Sequence, residues 1–291
     1  MPDPCGGVDG CSVSPRFQKT WPLQGQLYDG LTMPRSRIYD TAPPPVLSGL
    51  GVVCGFRPEF LEFRRGIHVG NLEEHERITR ILKLALEARY GQPFVTERWG
   101  RGVYWHWIGF LPRANRLAKP ISSDVSFGCS KFFLMVDTDE RAVKFGLQIE
   151  RGYEKAPRDS RHVELRSDWD WHRLIAALKP RSRLARELDR LVGREGFLLH
   201  AGSWEGEPLI FSSANYPGAL KLRRALEAAP KNRWAGFQVY YHMSESDVQT
   251  TTGLDLVESM LAAYGEVAPA MNLCMQIELA DQLPSRNDPR R

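Results

Sequence analysis

The sequence predicts an α+β fold: a single domain with a mixed, mostly antiparallel sheet flanked by helices, preceded by an irregular N-terminal leader. Two neighbouring strand patterns lie within residues 127–153, and apolar residues recur at helical spacing in several other segments. Because 42% of the 291 residues are apolar, the chain can bury a substantial core. We therefore expect a leader at 1–65, one domain at 66–275 and a polar tail at 276–291.

The predicted leader is rich in proline. Nine of the twenty prolines fall within residues 1–60, among them the run 43–45. Proline has no backbone N–H and a fixed φ, so this segment is poorly suited to a helix or a sheet. We expect a disordered leader or an extended arm, with Met33 as an alternative start, and residues 1 to about 60 that are dispensable for folding.

A helix and an aromatic strand open the predicted domain. Asn71 is a good N-cap for a helix that runs to Tyr90, where Gly91 ends it. Residues 97–110 then contain five large aromatic side chains, a pattern that favours one strand. Gly100 and Gly102 give the start of this strand more conformational freedom.

The hairpin at 127–153 is the clearest element. Residues 132–136 are continuously apolar, which predicts a strand buried on both faces. In the second strand, residues 143–150 alternate between apolar and polar, and this period of two places Lys144, Gln148 and Glu150 on one face. We expect that face to be exposed to solvent. The polar residues 137–140 supply the turn between the strands.

Capping residues, helical spacing and short apolar runs predict the remaining elements. We expect helices at about 168–178, 181–193, 216–229 and from Ser246 or Thr252 to about 264, and strands within 196–212 and at 234–241. The loop 111–124 carries three cations, and the segment 151–166 is polar and expected to be exposed.

Charge and cysteine content narrow the class of protein. Residues 151–194 hold twelve Lys or Arg against seven Asp or Glu, a local charge of +5 in a chain of +4. A regional excess of positive charge favours binding to a phosphate-bearing partner. The alternative is that this charge belongs to solvent-exposed helices rich in arginine. Five scattered cysteines and no secretory signal predict a cytoplasmic protein, and no stretch of 18 apolar residues indicates a membrane span.

No motif indicates a catalytic residue, a cofactor or a metal site. The chain has no P-loop, no glycine-rich dinucleotide turn and no His-Glu-x-x-His helix. A metal-dependent nuclease would need carboxylates and a lysine together on a hairpin, and the hairpin at 127–153 offers Asp137, Lys144, Gln148 and Glu150. A nuclease or other hydrolase built on this face is therefore one alternative.

Aromatic and basic residues together favour a different function. Aromatic rings stack on bases and cations neutralise phosphates, so a segment that carries both predicts nucleic-acid binding, unless it is a tryptophan-rich core strand. The candidate nucleic-acid-binding residues are Arg98, Trp99, Arg101, Tyr104, Trp105, Arg113, Arg116, Lys144 and Arg151.

The order of these features resembles a known family. The runs Trp105–Ile108, 132–137, 143–147 and 253–257, with the helices between them, are similar to the N-terminal DNA-binding domain of McrB-type modification-dependent restriction subunits. The similarity covers about 71–270. It implies recognition of modified cytosine in DNA by extrusion of the base into an aromatic-lined pocket. Because the chain has no P-loop, it would be a stand-alone reader or would work with a separate protein subunit.

The leading hypothesis is thus a non-enzymatic nucleic-acid-binding module that reads modified DNA in a bacterial defence system. The alternatives are the metal-dependent nuclease or other hydrolase, and a protein-interaction subunit with no nucleic-acid role.

Overall fold

One antiparallel sheet organises the computed structural model, which describes residues 43–119, 126–155, 165–205 and 209–280. Its strands are β1 (Leu61–Glu62), β2 (Gly66–His68), β3 (Phe94–Arg101), β4 (Tyr104–Pro112), β5 (Ser130–Asp137), β6 (Ala142–Gly152), β7 (Leu198–Ser203), β8 (Leu209–Phe211) and β9 (Ala235–Ser244). They follow the order β1-β2-β4-β5-β6-β9-β7-β8, with β3 paired to β4. The predicted α+β class is confirmed.

Seven helices accompany the sheet in the described residues. They are α1 (Ile78–Tyr90), α2 (Arg113–Leu117), α3 (Asp170–Ala177), α4 (Arg183–Gly193), α5 (Ala219–Glu227), α6 (Glu245–Gln249) and α7 (Gly253–Asn272). The predicted cap Thr252 accepts a hydrogen bond from the Asp255 N–H at the start of α7. None of these helices combines the length and the apolar character that a bilayer crossing requires.

The main core lies between the helices and one face of the sheet. Phe132 and Phe145 on the central strands are both fully buried there, with residues of α1, α4 and α7 in the same cluster. Tyr264 of α7 packs its ring 4.9 Å from that of Phe132, and its hydroxyl donates to the Phe133 carbonyl at 3.0 Å. This contact satisfies the only polar group of a buried aromatic side chain.

The predicted hairpin at 127–153 is formed by β5 and β6. The Asp137 carboxylate accepts hydrogen bonds from the N–H groups of Asp139 and Glu140, at 3.1 and 3.0 Å, which stabilise the turn. Within β6 the alternation correctly places Lys144, Gln148 and Glu150 on one face, opposite the core. We call it the second face.

Two predicted element boundaries were wrong. The strand expected over 97–110 is a hairpin, because the chain reverses at Gly102 between β3 and β4. The helix expected from Asn71 begins at Ile78, since Asn71 has a φ of 53°, in the left-handed region, and cannot lead directly into a right-handed helix. Its predicted end at Gly91 is confirmed by the left-handed conformation of that glycine.

The structure also moves the start of the packed unit from residue 66 to Pro44. Leu47, Phe56 and Phe60 are buried in the main core, so residues 44–65 do not form a separable leader. The start of α7 packs against this segment, because a Cβ at residue 253 would collide with the Phe56 carbonyl. The rest of the predicted leader, 1–42, and tail residues 281–291 lie outside the described residues.

Alanine substitution at two adjacent positions tests this revised boundary. Leu47 is 1% exposed, whereas its neighbour Val46 is 53% exposed. We expect Leu47→Ala to lower the free energy of unfolding by about 2 kcal/mol or more, and Val46→Ala to change it by less than about 0.5 kcal/mol. Urea titration followed by circular dichroism measures both. Equal, small losses would mean that residues 44–65 add nothing to the stability of the domain.

Candidate functional site

The β3–β4 hairpin carries most of the aromatic segment that was predicted as a binding site. Its turn passes through Gly102, whose φ of 56° lies in the region that favours glycine. The pairing register shifts between Trp99 and Gly100, and a Cβ at residue 100 would collide with the backbone of Trp105. The two strands therefore approach each other closely just below the tip of the hairpin.

Three of the predicted site residues are exposed near this tip: Arg98, Trp99 and Arg101. Trp99 is 51% exposed, and its ring centroid lies 5.1 Å from that of His106. The guanidinium of Arg98 lies over the Trp105 ring, 4.4 Å from its centroid. Burial lowers the pKa of His106, so its imidazole is neutral at pH 7. The tip of the hairpin thus carries one exposed indole and two exposed guanidinium groups.

The turn between β1 and β2 adds two arginines that the sequence analysis missed. Arg64 and Arg65 are both exposed. Pairing of β2 with the start of β4 brings them beside the hairpin, and the Arg65 guanidinium lies 3.8 Å from the centroid of the Tyr104 ring. The Tyr104 hydroxyl donates to Glu62 at 2.6 Å, and burial together with this carboxylate raises the pKa of Tyr104 to about 12.

We call the assembled surface the arginine edge; it consists of Arg64, Arg65, Arg98, Trp99, Arg101, Tyr104 and Trp105. Arg65 lies 3.6 Å from Glu62, whereas no other arginine of the edge forms an ion pair with a described residue. In the sequence, the signal for the cationic turn between β1 and β2 is the pair of adjacent arginines followed by Gly66. The φ of Gly66 is 108°, in the region that favours glycine.

The two predicted cations of the 111–124 loop differ in their surroundings. Arg113 is exposed at the start of α2. The Arg116 side chain is partly buried. Its Nη1 donates to the Lys119 carbonyl at 3.0 Å, and its Nε lies 3.9 Å from Glu97. Residues 120–125 of the loop lie outside the described part of the chain.

Lys144 was wrongly predicted to lie on an exposed face. It is 5% exposed, and its Nζ is 2.9 Å from Asp137 and 2.8 Å from Glu140. Burial by itself lowers the pKa of this amine, but the two carboxylates outweigh that effect and raise it. Lys144 is thus charged and already neutralised within the hairpin, which leaves little positive charge for a phosphate.

Arg151 was also predicted in an exposed segment, and that prediction was wrong. The residue is 3% exposed, and its guanidinium donates to the carbonyls of Ala229, Pro230 and Arg233 at 2.6 to 3.0 Å. These bonds hold the turn between α5 and β9 against the end of β6. Arg151 therefore has a structural role in the described residues.

On β6, the polar side chains of the second face are buried and internally paired where the sequence predicted solvent. Glu150 is 3% exposed and lies 2.8 Å from the buried amine of Lys131, which also lies 3.1 Å from Glu97. The Gln148 side-chain carbonyl accepts from Trp107 Nε1 at 2.9 Å and from Gln238 at 2.8 Å. Every polar side chain predicted to be exposed on β6 thus has partners from other strands.

The carboxylates named for the nuclease alternative already have partners within the protein. These two hairpin carboxylates, Asp137 and Glu150, are each neutralised by a different lysine. Among the described residues, no three His, Cys, Asp or Glu side chains are grouped so that they could hold a metal ion.

The described arginines within residues 151–194 differ in their surroundings. Arg151 is buried, and Arg190 is held by Glu187 and Glu266 at 3.2 and 2.5 Å. Arg183 and Arg186 on α4 are exposed.

No protein-family model matches this chain, and the search of curated proteins likewise found no match.

Proposed function

We propose that the protein is a non-enzymatic nucleic-acid-binding module and that it binds through the arginine edge. One observation carries the proposal: the exposed guanidinium groups of Arg98 and Arg101 lie on the same hairpin as Trp99, which is 51% exposed, and neither forms an ion pair with a described residue. Arginine binds phosphate oxygens through two donors at once, and an exposed indole stacks on a base. The same surface therefore has partners for both parts of a nucleotide.

The resemblance to McrB-type DNA-binding domains supports a proposal for the kind of DNA that the protein recognises. That resemblance implies a reader of modified cytosine in a bacterial defence system, acting alone or with a separate protein subunit. The site would lie in the cytoplasm, in keeping with Cys54, Cys129 and Cys274, which are free and buried. Comparison of plain and methylated DNA decides whether modification contributes to affinity.

Binding to fluorescently labelled DNA at a series of salt concentrations tests the proposal. Replacing Arg101 by alanine is expected to weaken binding to all sequences and to lower the slope of log affinity against log salt by about one. The matched control is Arg223→Ala, which removes a partly exposed arginine that pairs with Glu227 at 2.9 Å on α5. The control is expected to leave both the affinity and the slope unchanged.

Two results would contradict the proposal. If binding does not depend on salt, phosphate contacts do not hold the complex. If Arg101→Ala and Arg223→Ala weaken binding equally, the arginine edge is not the site. Absence of any binding to nucleic acid would instead favour the protein-interaction role, since Trp99 and the neighbouring Val103, which is 38% exposed, would also suit a protein partner.

A further inference from the structure

Five side chains form a row across the second face of the sheet, beginning at the arginine edge. The registers pair Trp99 of β3 with Trp107, Trp107 with Met135, Met135 with Lys144, and Lys144 with His242 of β9. Directly opposed residues of antiparallel strands project to the same face. Since neighbouring strands lie about 4.8 Å apart, the row spans about 19 Å.

Trp107 is held in this row as a flat platform. A Cβ at residue 109 would collide with its ring, so the indole lies across the glycine. Its Nε1 donates to Gln148 at 2.9 Å, and the Lys131 amine lies 5.3 Å from the ring centroid. These contacts occupy one face and one edge of the indole. Trp107 is still partly exposed, so part of the indole remains accessible from solvent.

Exposure and charge change along the row. Trp99, Trp107 and Met135 are exposed or partly exposed, whereas Lys144 is buried between Asp137 and Glu140. The half of the row next to the arginine edge is therefore aromatic and apolar, and the far half ends beside carboxylates. A polyanion is favoured at the first end and repelled at the second. The usable part of the row is thus the short half next to the arginine edge.

We infer that the nucleic acid bound by this protein is single stranded, with one base stacked on Trp99 and the next on Trp107. This inference rests on the proposed function and adds the class of substrate to it. In a duplex, both faces of each internal base are covered by neighbouring base pairs, and extrusion of one base supplies a ring for one indole only. Unpaired bases expose their faces, and a fixed ring binds them without first losing conformational freedom.

The test compares a short labelled single strand with the same strand annealed to its complement, using fluorescence anisotropy. We expect the full chain to bind the single strand more tightly. Trp107→Leu is expected to weaken single-strand binding by between about 5-fold and 100-fold and to leave duplex binding unchanged. The matched control is Trp204→Leu, because Trp204 also lies flat on a glycine, Gly236, but outside the row. That control is expected to bind as the unaltered protein does.

A second measurement needs no variant and so does not depend on the folding of Trp107→Leu. A strand of the same length that lacks bases but keeps its phosphates is expected to bind the unaltered protein at least about 10-fold more weakly. If the abasic strand binds equally well, or the duplex binds as tightly as the single strand, the inference is overturned while the proposed nucleic-acid function stands. If neither single strand nor duplex binds, both fail.

Discussion

Replacing Asp170 by alanine is expected to lower the free energy of unfolding by about 3 to 5 kcal/mol, the range for breaking a buried ion pair. Asp170 is fully buried, with its Oδ1 2.9 Å from the amine of Lys119, which is itself 2% exposed. The carboxylate also accepts hydrogen bonds from Asn115, Ser130 and Gln276, at 2.6 to 2.9 Å. Its removal leaves a buried ammonium group and three donors without their acceptor.

Urea titration monitored by circular dichroism measures this loss, and two further variants assign its cause. Asp168→Ala removes an exposed carboxylate two residues away and is expected to cost less than about 0.5 kcal/mol. Asp170→Asn also leaves the buried Lys119 ammonium without its carboxylate and is expected to lower stability. Adding Lys119→Met to Asp170→Asn is expected to recover part of that loss, because the unpaired buried ammonium is then gone. A loss below about 1 kcal/mol for Asp170→Ala would show that the pair does not stabilise the fold.

The local patterns of the sequence were sufficient for the β5–β6 hairpin, the later strands and most helices. The β5–β6 hairpin was predicted because continuous and alternating apolar runs meet at a turn containing Asp137, whose carboxylate then proved to bond the turn backbone. The N-cap Thr252 was identified for the same reason, since a capping hydroxyl bonds an N–H three residues later. Both interactions join residues that are close in sequence, so the local pattern alone is enough to predict them.

Exposure could not be predicted in the same way. A period of two correctly placed Gln148 and Glu150 on one face, but their burial is decided by Trp107, Lys131 and Gln238, which come from three other strands. An alternating strand looks the same from sequence whether its polar face meets water or a second polar layer. Lys144 was misplaced by this ambiguity.

The candidate site shows the same limit. Arg98, Trp99 and Arg101 were found because aromatic and basic residues are adjacent in the chain. Arg64 and Arg65 join them only because β2 pairs with the start of β4, about 40 residues later in the sequence. Likewise, the reversal at Gly102 was not recognised, and the row from Trp99 to Trp107 depends on that reversal.

Replacing Lys131 by methionine is expected to cost about 3 to 5 kcal/mol, because it leaves Glu97 and Glu150 facing each other with no cation between them. The Lys131 side chain is fully buried; burial alone lowers its pKa, but the two carboxylates outweigh that effect and raise it. A raised pKa means that this stabilisation is fully present below the unfolded value of about 10.4 and is lost only as the pH rises through the folded value.

The stabilisation by Lys131 is therefore complete at neutral pH, where the measurement is made. Lys155→Met is the matched control; it removes an exposed lysine and is expected to change stability by less than about 0.5 kcal/mol. Lys131→Met should also shift the tryptophan emission, because the amine lies 5.3 Å from the Trp107 ring and helps to hold it on the sheet. A variant as stable as the unaltered protein would mean that the two glutamates do not need the lysine. The polar layer beneath Trp107 would then not be what fixes the platform.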